Sequence, residues 1–283
     1  MRALIAPVLL AALMLATPTA PHRATAQPMV DATHYTVHLA SAETDAKGRR
    51  TAAPPFVGRV EVAGAPVPGS PILAAAPVRV DIVTGREGFV AGDYLLTDPD
   101  GLHVLVVSPV RRSYRELSAA DLARQAGRRV RITIGEPRVR VDTLAPAPGD
   151  APAGTPAPTR RLRVERAFAL HAKVLFVSQR ARVTEQTDYW VSDAVRELPV
   201  PVLWVFTEMS RAISAGDADL ARRTREAERG VRRGVVRSRS VVVQAGDDGR
   251  QVSEAETRVA DVRRGPVEAE RFVVPAGYRR SER

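Results

Sequence analysis

The stretch GDYLLTDPDGLHVLVVSPVRRSYRELSAADLARQAG, residues 92–127, decides the fold that the sequence predicts. Residues 93–97 (DYLLT) and 102–107 (LHVLVV) are predicted strands. The turn sequence DPDG at 98–101 lies between them, because proline fixes φ and glycine accepts a positive φ. The second strand is almost continuously apolar, which predicts either burial on both faces or a place on a curved sheet. This stretch therefore predicts an antiparallel hairpin in the middle of a sheet.

The same stretch continues into a third predicted strand, residues 112–117, and then into a helix. Ser118 has the character of an N-cap residue and Gly127 that of a C-terminal cap. Two further helices are predicted at 202–213, where apolar residues recur with helical spacing, and at 218–229. We therefore expect about three helices in the fold.

Outside these segments, alternating apolar and polar residues indicate strands that follow one another as hairpins. Clear examples are residues 33–40, 56–63 and 78–82, the last with Val78, Val80 and Ile82 on one face. Further strands are predicted at 129–134, 138–141, 161–165, 167–177, 182–191, 235–244, 251–262 and 267–274, with the turn between 167–177 and 182–191 near residues 179–180. Consecutive hairpins give an antiparallel sheet, here of about eleven strands. Together with the helices, the pattern predicts an α+β fold.

Three short motifs resemble a family of uncharacterised bacterial periplasmic domains in the lipoprotein-carrier (LolA/LolB-like) superfamily. They are VSPVRRSYREL at 107–117, DYWV at 188–191 and FVVPAGY at 272–278. The resemblance covers roughly residues 30–280. It implies a strongly curved antiparallel sheet, an incomplete barrel, whose concave face is covered by the helices above an apolar cavity. It also implies a place in the envelope of Gram-negative cells.

The N-terminus predicts export. Residues 1–26 contain a basic start, an apolar segment and the cleavage sequence Ala24-Thr25-Ala26, which is typical of a signal peptide; a membrane anchor is the alternative. The chain has no cysteine, which excludes disulfides and a lipid-bearing cysteine. We predict a periplasmic protein with one domain over 27–283, interrupted by a flexible Pro/Ala-rich insertion at 145–159.

The sequence contains no specific catalytic, cofactor or metal motif. Glycine-rich phosphate loops, nucleophile elbows and zinc-protease motifs are absent. His34 and His38 are four residues apart, but they fall in a predicted strand and not on a helix, so they do not predict a metal site. We expect a protein that is not an enzyme and needs no cofactor.

One candidate site is aromatic and apolar. It has two interpretations: ordinary core between sheet and helix, or a cavity for a lipid-like or acyl ligand. The resemblance favours the second, which makes the protein a carrier or binder of acyl chains. The candidate residues are Tyr94, Phe176, Trp190, Trp204, Phe206 and Met209.

The other candidate site is a row of arginines that alternate with inward apolar residues. The formal net charge is +10, and nearly all of the basic residues are arginine. A solvated outer face is one interpretation; docking of an envelope module to an anionic membrane surface is the other, since arginine binds phosphate through two parallel hydrogen bonds. Nucleic acid is not expected as a partner of an exported protein. The candidate residues are Arg129, Arg131, Arg138, Arg140, Arg161 and Arg163.

Overall fold

The structure is a computed structural model that describes residues 28–281 with gaps at 73–75, 87–88, 100–102, 119–130, 148–149, 151–154, 175–176, 197, 200–225, 227, 229–230, 232 and 248. Its central feature is one sheet of 13 strands. The strands are β1 Met29–Thr44, β2 Arg50–Ala52, β3 Phe56–Ala63, β4 Val78–Thr84, β5 Tyr94–Thr97, β6 His103–Ser108, β7 Ser113–Ser118, β8 Arg131–Leu144, β9 Arg160–Val174, β10 Val177–Val191, β11 Val235–Gly246, β12 Gly249–Glu268 and β13 Arg279–Arg280.

The strand order is β13-β7-β6-β5-β4-β3-β1-β12-β11-β10-β9-β8, with β2 attached to β1. The order joins two sequential meanders, β3 to β7 and β8 to β12, through the first strand. β1 pairs with β3 on one side and with β12 on the other, and both pairings are antiparallel. The pairing of β13 with β7 is parallel.

The predicted α+β class, with three helices over the concave face of the sheet, is wrong. Strands make up 66% of the structure. No complete α-helix occurs among the described residues, which contain two short 3-10 helices, Asp193–Val195 and Ala269–Phe272. The segments predicted as helices after Ser118 and at 202–213 lie outside the described residues, as does most of 218–229.

The class was predicted wrongly partly because the strands extend well beyond their apolar centres. The alternation of residues 251–262 marks only the middle of β12, which runs from Gly249 to Glu268. The C-terminal part of β12, after Val262, is mostly exposed and contains few apolar residues. Hydrophobic periodicity therefore locates strands but underestimates their length.

The main core lies on one face of the sheet, which we call the inner face. Tyr35, Val37 and Leu39 of β1 are buried there, and Val78 and Val80 of β4 join them, as their alternation predicts. Val195, Leu198 and Val231 from the segment between β10 and β11 belong to the same core. Tyr35 also donates a hydrogen bond from its hydroxyl to the carbonyl oxygen of Pro199. The segment after β10 is therefore anchored on the inner face.

The opposite, outer face is covered over β5 to β7 by the C-terminal residues 269–278, which we call the C-terminal strap and which lead into β13. Val274 and Tyr278 of the strap pack against a small core that contains Leu105 and Val107 of β6. Val104 and Val106 of the same strand point into the main core. The prediction that this apolar run is buried on both faces is confirmed. The strand predicted at 267–274 is wrong, because β12 ends at Glu268 and the 3-10 helix follows.

The long strands β8 to β12 form the other half of the sheet. Two predicted strands, at 129–134 and 138–141, are a single strand β8 with a register shift between Gly135 and Arg138. Pro137 lies at this irregularity, where a missing N–H is tolerated. Residues 145–159 connect β8 to β9, which pair with each other along their length. The Pro/Ala-rich segment is therefore a loop within one hairpin.

Candidate anion-binding face

The strand registers bring many arginines to the outer face of β8 to β12. Directly paired residues on neighbouring strands lie on the same face. Arg161 of β9 is paired with Trp190 of β10, which is paired with Arg237 of β11, which is paired in turn with Arg258 of β12. Side chains two positions along each strand repeat this face.

The next rungs continue the pattern with alternating charge. Arg163 is paired with Asp188, Asp188 with Arg239, and Arg239 with Glu256. Arginines outnumber carboxylates across all of these rungs. We call this surface the arginine face; its arginines are Arg138, Arg140, Arg161, Arg163, Arg182, Arg237, Arg239, Arg250 and Arg258, and its carboxylates are Asp142, Glu165, Asp188, Glu254 and Glu256.

Asp188 is the centre of an ionic cluster on this face. Its carboxylate accepts hydrogen bonds from Arg161 Nη2 at 2.7 Å and from Arg163 Nε at 2.8 Å. Burial alone would raise the pKa of Asp188, but the hydrogen bonds and charges of the two guanidiniums outweigh it and hold the pKa below its usual value. Asp188 is therefore charged at neutral pH and neutralises part of the arginine row.

Glu256 of β12 binds two arginines in the same way as Asp188 of β10 does. Its Oε1 accepts from Arg237 Nε at 2.8 Å and from Arg258 Nε at 2.9 Å. Burial again acts to raise the pKa of Glu256, and the two arginines lower it overall. Two of the carboxylates on the arginine face thus bind two arginines each.

Trp190 lies between two guanidiniums in the same region. The guanidinium carbons of Arg161 and Arg237 are 4.9 Å and 4.7 Å from the ring centroid, which is cation–π geometry on both sides. The side chain of Trp190 is 4% exposed. This end of the arginine face is thus closed by its own side chains, and Trp190 supports the arginines and is not itself a surface for a ligand.

The other end of the arginine face is open. Arg138, Arg182 and Arg239 are exposed and form no ion pair among the residues that the structure describes, although Arg239 stands opposite Asp188 and Glu256 in the strand register. Arg138 lines a cavity of about 590 Å³ whose apolar part includes Val241 and Val243. Arg182 and Arg239 lie on the strands that carry this cavity, two residues from Thr184 and from Val241. An unpaired guanidinium beside half-buried valines suits an anionic group attached to an apolar one, and Glu165 and Glu185 line the same cavity.

The four described arginines predicted to share a face do so. Arg138, Arg140, Arg161 and Arg163 all belong to the arginine face. Arg129 lies outside the described residues; Arg131 is in β8, but its side chain is not described. Of these, Arg140 pairs with Asp142 at 3.0 Å, and Arg161 and Arg163 bind Asp188.

The structure describes two of the six aromatic and apolar candidate residues, Tyr94 and Trp190, and they belong to different clusters. Tyr94 lies in β5 in the small core with Leu96, under the guanidinium of Arg79 at 3.7 Å. Burial raises its pKa, against the opposing effect of Arg79. Trp190 contacts the main core instead. Phe176, Trp204, Phe206 and Met209 lie outside the described residues.

Sequence reasoning missed the partners that complete the arginine face. Arg237 and Arg239 alternate with serines in the run 235–243, VVRSRSVVV, and this alternation could have placed them on one outward face. Asp188 and Glu256 could not be found in this way, because their arginine partners depend on the register between strands.

Comparison of the sequence with protein-family models and with curated proteins finds no match. The resemblance to lipoprotein carriers therefore stays a prediction. Within the described ranges, no helix has the length and apolarity needed to cross a membrane.

Proposed function

We propose that the protein is an exported, non-enzymatic module that docks on an anionic lipid surface through its arginine face. The observation that supports this function best is the open end, where Arg138, Arg182 and Arg239 form no ion pair within the described structure. Arg138 lines the cavity there together with half-buried Val241 and Val243, and Glu165 and Glu185 also line it. The export signal predicted in residues 1–26 supports a place where lipid surfaces are available.

The chemistry of the open end matches a layer of lipid headgroups. A guanidinium binds a phosphate with two parallel hydrogen bonds, and each arginine near an anionic membrane contributes about 1 kcal/mol. Val241 and Val243 offer an apolar contact below the phosphates. The end around Asp188 and Glu256 contributes shape and rigidity, and its two carboxylates offset half of the charge of the four arginines that they bind.

Vesicle sedimentation tests this function. The protein should bind vesicles of phosphatidylglycerol and not vesicles of phosphatidylcholine. The triple variant Arg138→Gln, Arg182→Gln, Arg239→Gln should bind phosphatidylglycerol on the order of 100-fold more weakly, since three arginines lose about 1 kcal/mol each. A triple variant at three exposed arginines outside this face, Arg111→Gln, Arg233→Gln, Arg279→Gln, removes the same charge and is the control.

Equal losses in the two triple variants would show that only total charge matters and would overturn the assignment to this face. Binding that does not depend on the lipid charge would overturn the proposal as a whole.

A second candidate function is the holding of an acyl ligand on the inner face. Phe168 and Leu170 of β9 are half-buried and lie on the same side of their strand as Leu162 and Val164 of the main core. The resemblance to lipoprotein carriers supports the same ligand class. A fluorescent fatty-acid probe titrated into the protein tests this candidate: saturable uptake supports it, and an unchanged probe spectrum contradicts it.

A further inference from the structure

A second cavity, of about 900 Å³, lies where β1 and β12 meet β3 and β4. It is distinct from the open end of the arginine face. The pairing of β1 with β12 is irregular here, because Asp261 and Val262 both stand opposite Tyr35. Asp261 has a φ of 57°, in the left-handed region that residues other than glycine rarely adopt. Such bulges re-aim side chains and are frequent beside functional sites.

The two half-buried carboxylates of this cavity are already occupied by arginines. Arg271 of the C-terminal strap donates from Nε to Glu61 Oε2 and from Nη2 to Asp81 Oδ2, both at 2.7 Å. Arg79 occupies the other oxygen of Asp81 through Nε at 2.8 Å. Burial acts to lower the pKa of Arg271, but Glu61 and Asp81 outweigh it and raise the pKa, so this bridge is charged.

This arrangement leaves a neighbouring guanidinium without a carboxylate. Arg59 of β3 is directly paired with Asp81 of β4 and would be its natural partner. Because Arg79 and Arg271 hold both oxygens of Asp81, Arg59 forms no ion pair within the described structure and stays exposed at the cavity.

A second guanidinium lies on the other side of β1. Arg263 of β12 is directly paired with His34, and Arg59 is directly paired with Thr36, so the two arginines flank β1 on the same face. Arg263 is exposed, lines the cavity and has no carboxylate partner among the described residues. The hydroxyl of Thr36 lies on the strand between them.

We propose that this cavity is a binding site for the phosphate monoester of a small polyol or sugar. Arg59 and Arg263 would bind the phosphate from the two sides of β1, and Thr36 would donate from its hydroxyl. Asp261, which also lines the cavity, offers carboxylate oxygens that accept hydrogen bonds from hydroxyl groups of the ligand. The volume lies in the range of small-molecule sites.

Arg271 acts as a positioning residue in this site. It keeps Glu61 and Asp81 from pairing with Arg59 and so preserves a free guanidinium for the ligand. A change of Arg271 should weaken phosphate binding although its own nitrogens are held by protein carboxylates.

Isothermal titration of the full chain with glucose 6-phosphate tests the site, with glucose as the uncharged control. The wild type should bind the phosphate ester and not glucose. Arg59→Gln and Arg263→Gln should each weaken binding by at least roughly 10-fold, since each removes a charged hydrogen-bonding partner of the phosphate. Arg111→Gln, on an exposed turn far along the chain, should bind as the wild type does.

Absence of binding by the wild type at millimolar glucose 6-phosphate would overturn the proposal, and so would unchanged binding by the double variant Arg59→Gln, Arg263→Gln. The same double variant should bind phosphatidylglycerol vesicles normally. If the double variant loses vesicle binding and the wild type does not bind glucose 6-phosphate, the cavity binds a lipid headgroup. The small-molecule site is then refuted. Failure of the arginine-face proposal alone would leave the glucose 6-phosphate result unaffected.

Discussion

Asp188 shows how a single carboxylate organises the arginine face. It holds two arginines of the neighbouring strand through a forked set of hydrogen bonds, and its side chain is 8% exposed. Without it, Arg161 and Arg163 would lie side by side with like charge. The distribution of charge on this face therefore depends on carboxylates such as Asp188 as well as on the arginines.

Asp188→Asn should destabilise the protein by about 2 kcal/mol at pH 7, below the usual cost for a fully buried pair because the arginines are partly exposed. The lowered pKa of Asp188 means that its stabilisation is present above the pKa of about 3.9 in the unfolded chain and is lost as the pH falls below it. Urea unfolding at pH 7 and at about pH 3 checks both statements. The wild type and the variant should differ at pH 7 and converge at acid pH; an equal difference at both pH values would contradict the account.

At the scale of strands, the inner face of β9 and β10 carries one buried polar network. Arg166 donates from Nη1 to Glu185 at 2.7 Å and from Nη2 to Glu228, and Glu228 is fully buried. Tyr189 also donates to Glu228, at 3.3 Å. Burial acts to lower the pKa of Arg166, but the two carboxylates raise it above its usual value. This network ties the chain around Glu228 to the sheet.

Arg166→Met should destabilise the protein by about 3–5 kcal/mol, because it leaves the carboxylate of Glu228 buried without its cation. The double variant Arg166→Met, Glu228→Gln should recover part of this loss, since no buried charge is then left unpaired. Thermal and urea unfolding measure both. A cost below about 1 kcal/mol for the single variant would show that the network does not anchor this segment.

The arginine rows also show what a sequence can predict about a sheet. Alternation places Arg138, Arg140, Arg161 and Arg163 on one outward face, and the structure confirms it. The face on which a side chain lies depends on the alternation within its own strand. This prediction therefore holds although the turn between β9 and β10 was expected near residues 179–180, whereas β9 ends at Val174 and β10 begins at Val177.

Local alternation cannot predict which side chains pair across strands, because these pairs depend on the register between the strands. The pairs of Asp188 with Arg163 and of Asp81 with Arg271 join residues that are far apart in sequence, and no local pattern encodes them. The helices were predicted from local periodicity alone, and the length of the strands was underestimated because exposed strand ends have no apolar signal. The arginines without an ion-pair partner in the two candidate sites could be identified only after these long-range pairs were known.

On the scale of the whole molecule, the outer side of the sheet is divided into two regions. The C-terminal strap packs on β5 to β7 through Val274 and Tyr278, whereas the arginine face on β8 to β12 carries charged side chains. Among the described residues, the second region presents the excess of arginine and carries a cavity with apolar lining.

Vesicle binding through unpaired surface arginines should weaken steeply with salt. Exposed charges are screened over about 8 Å at physiological ionic strength and over about 3 Å at 1 M. Sedimentation with phosphatidylglycerol vesicles at increasing sodium chloride should therefore show progressive release of the protein. Binding that is unchanged at 1 M salt would assign docking to apolar contacts and not to the arginines.

The most direct test asks which face of the bound protein meets the lipid. The chain has no cysteine, so a single cysteine can carry an environment-sensitive fluorophore without competing labels. Val243→Cys places it in the cavity of the arginine face, and Val110→Cys, at a side chain that is 90% exposed, is the control. With phosphatidylglycerol vesicles, the label at 243 should shift to the blue and be quenched by brominated lipid, and the label at 110 should not change. A bound protein in which the label at 110 responds and the label at 243 does not would contradict docking through the arginine face.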